Sequence, residues 1–324
     1  MEVMDNILIK LMKTGYGITP NKVIPASRGF SAKAAYRVVG ADGKQYFLKV
    51  YDKTLPTTRC FVERIDAYMP VLAWLSGTPG LAGRILTPAL MQGGTYKIEQ
   101  EDEAYVLFEF ICGTTPGIQG ITRDQTAELA EILAHLHELS ESVPFELTGL
   151  DEDISLPFCG HLAQFLKSMN TDGALFAIVS PYTGLLKEAI DETIHLRDTL
   201  RTGYAPLVLC HTDAHGNNVI QGERLVLVDW EELRLAPAEA DLFIHILHPY
   251  GKLLLEEYCG KRRNFSINQE LLRFYTLRRR LEDLWGDIQR LTEESPDEAE
   301  ADNLLGYVKE SIDGVYLLYR KGET

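Results

Sequence analysis

No part of the 324-residue chain holds the roughly 18 consecutive apolar residues that a membrane-spanning helix needs, so no membrane association is expected. Cysteine is scarce. Cys60, Cys112, Cys159, Cys210 and Cys259 are far apart, odd in number and without metal-type spacing, which excludes a disulfide framework and a zinc knuckle. Reduced thiols and a cytosolic compartment are expected. Basic residues are also short, 32 Lys and Arg against 47 Asp and Glu. The net charge of −15 argues against a nucleic-acid surface, because phosphate backbones are bound by concentrated cationic side chains. It tilts the expected partner toward a cation. Internal repeats are missing, and 45% hydrophobic with 24% charged residues is the composition of a folded chain. The segment from Met1 to Gly17 lacks the apolar core and cleavage site of a secretory signal. It reads instead as an amphipathic helix, with Ile7, Leu8, Leu11 and Met12 on one side.

What is present falls into two halves of different texture. Short β-branched and aromatic runs (Val23-Ile24, Ala35 to Val39, Tyr46 to Val50) are separated by the turn Gly40-Ala41-Asp42-Gly43 and predict an antiparallel meander. Cys60 to Ser76 has helical spacing and stops at Gly77; strands are expected again at Ile85 to Leu90, Thr95 to Glu99 and Ala104 to Ile111. After the Pro/Gly/Thr loop from Gly113 to Gly120, helical patterns take over: Thr122 to Leu139, Cys159 to Met169, Pro181 to Leu200 and Asn268 to Leu291. Between them lies a compact β segment, Leu207 to Leu209 and Leu225 to Asp229. The acidic run Glu293 to Asp302 reads as a solvated helix end or loop. A β-rich small lobe followed by a helical large lobe predicts an α+β layout.

The chemistry is concentrated in His211-Thr212-Asp213-Ala214-His215-Gly216-Asn217-Asn218, an H-x-D-x-x-x-x-N spacing, followed by a strand that ends in Asp229-Trp230. Phosphoryl transfer asks little covalent chemistry of a protein. It needs a group that orients or deprotonates the attacking hydroxyl, and oxygen ligands that fix magnesium on the phosphates. Asp213 suits the first task. The Asn218 amide oxygen and the Asp229 carboxylate suit the second, since magnesium takes hard oxygen donors. An H-x-D-x-H zinc reading of His211, Asp213 and His215 leaves Asn218 and Asp229 without a role.

In these residues the chain resembles the aminoglycoside phosphotransferase family, relatives of the protein kinases in which an Asp-Trp pair stands for Asp-Phe-Gly. The likeness extends to Glu231-Glu232-Leu233-Arg234-Leu235-Ala236-Pro237, to Asp241 as a loop-stabilising aspartate, and back to the helix ending Leu136-His137. It implies a bilobal protein-kinase-like fold, with a nucleotide-binding lobe at 1–109 and a catalytic and substrate-binding lobe at 110–324. It further implies ATP as co-substrate, with GTP left open, and Mg2+ as cofactor. By the resemblance Asp213 is the catalytic aspartate, His211 a brace of its loop, and Asn218 and Asp229 the metal ligands. Lys49 is the phosphate-binding strand lysine, with Glu63 on the next helix as its ion-pair partner. Gly29, Phe30 and Ser31 form the loop over the phosphates, a loop with a single glycine, and the backbone from Glu109 through Ile111 to Cys112 is the purine hinge. Acceptor contacts are expected from Trp230, Glu231 and Glu232, and from Tyr275, Glu282, Asp283 and Trp285 on the C-terminal helix, because acidic and aromatic groups suit an aminated ring. The implied activity is transfer of phosphate to a hydroxyl of a small cation such as an aminocyclitol or aminoglycoside antibiotic, with resistance as its role. Kinases of choline, homoserine, thioribose or fructosamine type, and a non-catalytic nucleotide binder, stay open as alternatives.

Overall fold

The short alternating runs become a five-stranded antiparallel sheet in the computed structural model, which describes residues 2–27, 32–117, 120–202, 206–246, 248–294 and 296–320. The strands are β1 (Pro20–Ala26), β2 (Ala34–Gly40), β3 (Gln45–Asp52), β4 (Lys97–Glu99) and β5 (Glu103–Glu109), in the order β1-β2-β3-β5-β4. Lys49 lies in the middle strand, opposite Ala35 on one side and Val106 on the other. Strand side chains alternate between faces. Leu48 and Val50 join Val38, Tyr105 and Leu107 under α1 (Glu2–Tyr16), which contributes Leu8, Met12 and Tyr16 to that core. Lys49 and Tyr51, one step out of phase, face the other way. Ile7, expected on the buried side of α1, is 44% exposed.

Helix α2 (Pro56–Ser76) buries Ile65, Tyr68, Met69 and Leu72 and packs on β3. The run from Ile85 to Leu90 does not become a strand of the sheet. It makes isolated bridges, Ile85 beside Leu227 and Pro88 beside Phe108, the latter flanked by bonds from the Ala89 N–H to the Leu107 carbonyl at 2.8 Å and from the Glu109 N–H to the Thr87 carbonyl at 2.9 Å.

Helix α3 (Arg123–Glu138) begins at a capping box: Gln125 N–H donates to Thr122 Oγ1 at 3.3 Å and Thr122 N–H donates to Gln125 Oε1 at 2.9 Å. Thr122→Ala should lower stability by ~1 kcal/mol, read as a shift of the urea midpoint at unchanged slope. Further along are α4 (Pro157–Ser168), α5 (Ala174–Val179), α6 (Thr183–Thr202) and the short strands β6 (Val208–Cys210), β7 (Val219–Gln221), β8 (Leu225–Leu227) and β9 (Arg234–Ala236). β6 pairs with β9 and β7 with β8, both antiparallel. The chain ends with α7 (Glu239–Leu242), α8 (Gly251–Lys261), α9 (Gln269–Glu293) and α10 (Glu298–Arg320).

Packing divides the chain into two compact units, Met1–Asp151 with Leu207–Phe265, and Glu152–Pro206 with Ser266–Thr324. The first holds the sheet, α2, α3, the four short strands, α7 and α8. The second is helical, with α9 packed along α10 and also against α4 and α6. The expected solvated acidic run spans the end of α9 and the start of α10, where Glu298 and Glu300 sit in the first turn and complement the helix dipole. Behind them Leu304, Val308, Ile312 and Val315 form a buried stripe. The α+β class is as expected. Among the described residues no helix is long and apolar enough to cross a membrane.

Candidate active site

Two non-glycine residues on either side of the site have left-handed backbone, Thr212 at φ 66° and Asp229 at φ 69°. Each conformation costs roughly 1 kcal/mol or more, so surrounding bonds must hold it. For Thr212 the holder is Asp241. Its carboxylate accepts from the N–H of His211 at 3.0 Å and of Thr212 at 2.5 Å, and from His137 Nε2 at 2.9 Å. His137 Nδ1 in turn lies 2.6 Å from the Tyr258 hydroxyl. Those partners assign His137 as the Nε2–H tautomer, accepting from Tyr258 at Nδ1. Asp241 and His137 are buried. Burial works to raise the Asp241 pKa, but the His137 hydrogen bond and the backbone donor outweigh it and hold the carboxyl below its ordinary range. Cys210 adjoins this pair, with Sγ 3.5 Å from the Ala236 carbonyl and 3.4 Å from that of Pro237. The buried trio of His137, Cys210 and Asp241 is therefore a hydrogen-bonded brace rather than a metal cage.

His211 is fully buried. Its Nε2 lies 2.9 Å from the Val228 carbonyl and its Nδ1 accepts from the Asp213 N–H at 3.2 Å. Burial pushes its pKa down, and the neutral Nε2–H tautomer satisfies both neighbours. With both ring nitrogens engaged, His211 braces the loop, and the H-x-D-x-H zinc reading has no ligand there. Trp230, expected at the acceptor, is instead a core residue. It is buried, donates from Nε1 to the Leu227 carbonyl at 3.0 Å and meets the His211 ring edge-on at 4.7 Å.

Asp213 and Asn218 are joined directly. Asn218 Nδ2 donates to Asp213 Oδ2 at 2.7 Å and to the Asp213 carbonyl at 2.9 Å, while Val228 N–H donates to the Asn218 carbonyl at 2.9 Å. Because the amide nitrogen is committed to Asp213, the Asn218 Oδ1 is the end left for a cation. His215 Nε2 lies 3.5 Å from Asp213 Oδ2.

Lys49 is buried and its ammonium donates to Asp229 Oδ1 at 2.5 Å and to Glu231 Oε1 at 2.6 Å. Tyr51, two residues along β3 on the same face, donates its hydroxyl to Glu231 Oε1 at 2.6 Å. Burial alone would lower the Lys49 pKa, yet the charges of Glu231 and Asp229 hold it above the ordinary lysine value. The two carboxylates share one ammonium. Burial and then the charge of Glu231 push Asp229 up, whereas for Glu231 the Lys49 charge and the hydrogen bonds it accepts outweigh burial and pull it down.

Two expectations are corrected here. Glu63 is exposed on α2, between the buried Val62 and Ile65 that point the helix inward elsewhere, and it does not pair with Lys49. Glu231, expected to face the acceptor, is buried at 5% exposure and occupies the lysine. Sequence reasoning missed this role for Glu231 and missed Tyr51 altogether; the i, i+2 spacing of Tyr51 from Lys49 was the available signal. Glu232 stays partly exposed, 3.8 Å from Arg234.

The segment expected to be the hinge leaves β5 at the exposed Glu109, and Phe110 N–H donates to the Gln45 carbonyl at 3.1 Å with Arg37 over its ring at 4.6 Å. Ile111 is half-buried. The strand end beyond it lies so close to β7 that a Cβ on Gly113 would meet the Gln221 carbonyl oxygen at 2.4 Å, which demands glycine. Gly29, Phe30 and Ser31 lie outside the described residues.

The remaining acceptor expectations fall in the helical unit. Tyr275 is buried and donates to Glu152 Oε2 at 2.6 Å, so it is a core residue and not a wall. Glu282 is exposed and Asp283 partly exposed, beside Arg278 at 3.8 Å and Arg279 at 2.9 Å, each one helical turn away. Trp285 is half-buried, with its ring centroid 5.6 Å from that of His161 and 6.5 Å from that of Phe165, two aromatic neighbours on α4 that sequence reasoning missed.

An amide oxygen and a carboxylate, placed beside an aspartate and a charged lysine, match the donor set of a hard divalent cation. A sheet lysine meeting an aspartate that follows an H-x-D-x-x-x-x-N loop, within an α+β kinase-like fold, defines a phosphoryl-transfer enzyme. The family model described as "Phosphotransferase enzyme family" matches residues 22–284, and the chain belongs to that family. It is an ATP-dependent phosphotransferase with an alcohol group as acceptor. Among solved structures it is similar to spectinomycin phosphotransferase in complex with ADP and spectinomycin, at 20% identity and a TM-score of 0.76 over 96% of this chain and 97% of that one. A microcompartment-associated aminopropanol kinase is similar at 16% identity and a TM-score of 0.65, covering 95% of each chain. So is an amicoumacin kinase in complex with AMP-PNP, Ca2+ and its ligand, at 13% identity and a TM-score of 0.65 over 96% of this chain and 95% of that one. No curated protein sequence matches the chain.

Proposed function

We propose that the protein transfers the γ-phosphate of a nucleotide to a hydroxyl of a small cationic molecule, an aminocyclitol or aminoglycoside, with spectinomycin the first compound to try. The observation that carries the phosphate half of this reading is the convergence of Lys49, 180 positions upstream, on Asp229 at 2.5 Å, beside the hydrogen-bonded Asp213 and Asn218. In the proposed mechanism Asp213 orients the acceptor hydroxyl and takes its proton at a carboxylate oxygen. Asn218 holds Asp213 in place through its amide nitrogen. Lys49 presents a point charge to the nucleotide phosphates, and backbone from Glu109 to Ile111 takes the purine. Asn218 Oδ1 and Asp229 would hold Mg2+, which when bound neutralises charge on the phosphates. Residues 1–109 act as the nucleotide-binding lobe and 110–324 as the catalytic lobe.

For the acceptor, support comes from the net charge of −15, from the partly exposed Glu232 and, within the helical unit, from the exposed Glu282, the partly exposed Asp283 and the half-buried Trp285. The likeness of Val208 to Asp213 and of Asp229 to Glu232 to spectinomycin phosphotransferase points the same way. The similarity to an aminopropanol kinase favours a second reading, a housekeeping kinase of a small amino alcohol. A coupled nucleotide-consumption assay over aminocyclitols, aminoglycosides, choline, homoserine and neutral sugars separates them. Turnover is expected on aminated, hydroxyl-rich rings, with added salt raising the apparent KM and leaving kcat nearly unchanged; neutral acceptors should show little salt effect. Turnover of choline or homoserine with none on any aminocyclitol or aminoglycoside would overturn the antibiotic reading and leave the amino-alcohol reading standing.

A further inference from the structure

A buried ammonium needs a counter-charge at every stage of a reaction cycle, because an unpaired charge in a desolvated site is strongly disfavoured. Lys49 has two, at 2.5 Å and 2.6 Å, and they differ in setting. The Asp229 side chain is 30% exposed, whereas that of Glu231 is 6% exposed. Glu231 is also tied to the sheet by the Tyr51 hydroxyl, which reaches the same oxygen, Oε1, that Lys49 does. Tyr68 of α2, also buried, meets Tyr51. Glu63, the acid that spacing along α2 would nominate, is on the solvent side.

Resting on the reading of this site as a nucleotide-phosphate site, we infer that Glu231 is the positioning residue that keeps Lys49 aimed at the phosphates once Asp229 turns to a metal ion. Asp229 is the partner that exchanges and Glu231 the one that stays. The lysine anchor comes from two residues after the metal aspartate instead of from the helix. The left-handed turn at Asp229 lets both acids reach one ammonium, since alternating residues of a regular strand would follow a straight line away from it.

This arrangement predicts an effect that depends on the metal. Without magnesium Asp229 still holds Lys49, so Glu231→Gln should weaken binding of a fluorescent ADP by less than about threefold. With magnesium present the same variant should weaken it by about tenfold or more, the size of one charged hydrogen bond. Tyr51→Phe should act in the same direction by a few fold, and Glu231→Asp should recover part of the loss. Glu63→Ala should change neither titration. In a Lys49→Met background Glu231→Gln should have little further effect, because it acts through the lysine. Equal losses with and without magnesium, a Glu63→Ala loss in place of the Glu231→Gln loss, or an undiminished Glu231→Gln effect in the Lys49→Met background would each overturn the inference. The last outcome would place Glu231 on the metal. Thermal melting of each variant checks the fold, and if Glu231→Gln does not fold, Glu231→Asp and Tyr51→Phe carry the test. Failure of wild type to bind magnesium nucleotide would overturn the underlying site reading as well, a result distinct from those three.

Discussion

Asp213→Ala should lower turnover by ~10²–10⁴-fold while nucleotide affinity stays within about twofold, because Asp213 is proposed to meet the acceptor hydroxyl and not the nucleotide. The companion variant is Asp213→Asn. Asn218 also donates to the Asp213 backbone carbonyl, at 2.9 Å, so the loop keeps one of its two bonds when the side chain is lost. An asparagine at 213 can in addition accept from the Asn218 amide, and it removes the base without removing the contact. Both variants should therefore melt near wild type and both should be slow. Rapid-quench measurement of a single turnover, beside a nucleotide titration, separates the chemical step from binding. A variant that kept more than a tenth of wild-type turnover, which corresponds to less than ~1.4 kcal/mol of barrier, would remove Asp213 from the role.

Asp241→Ala should have the largest effect on stability, a loss of about 3–5 kcal/mol, with turnover falling as well. The substitution strands the His211 and Thr212 amides and His137 in a buried site and releases the left-handed Thr212 from its holder. Asp241→Asn keeps one accepting oxygen and should fall between. The dependence on pH has a definite sign. The folded pKa of Asp241 is depressed, so its contribution is fully present above the ordinary aspartate value of about 3.9 and is lost as pH falls through the folded value. Urea melts of wild type and Asp241→Asn should therefore converge at low pH. A stability gap that stayed constant down to acid unfolding would show that the Asp241 charge contributes nothing.

The α+β class was legible because the two halves of the chain carry different hydrophobic periods, two in the sheet and about 3.6 in the helices. The segment from His211 to Asn218 was legible for a different reason: its spacing is local, and the β7 to β8 hairpin returns the chain directly to Asp229. Lys49 could be paired with that segment only through the family likeness. What lay beyond reach depended on backbone geometry that residue types do not announce. Asp229 was placed at the end of a regular strand, but β8 stops at Leu227 and the turn that follows brings Glu231 inward and Trp230 into the core. Glu63 was nominated by its place on α2, yet the phase of that helix is set by Val62, Ile65 and Tyr68, which take the buried side. Tyr275 looked like a binding aromatic and is a core one, because its partner Glu152 lies 123 positions away. Helix α10 was obscured by the acidic run that opens it.

The bond between Lys49 and Glu231 joins residues 182 positions apart. On the ribosome, at roughly 5–20 residues per second, about 10–35 s separate the synthesis of the lysine from that of the acid that neutralises it. Within that interval the rest of β3, β4 and β5 join the earlier β1 and β2, but the ammonium at the middle of the sheet has neither of the carboxylates it has in the finished protein. The nascent sheet must keep that face open to water until the later segment arrives. A chain halted before residue 229 should accordingly hold its first half as a loosened, protease-sensitive sheet, and the closing of the catalytic segment over Lys49 is then a late event in the birth of the protein as well as the assembly of its site.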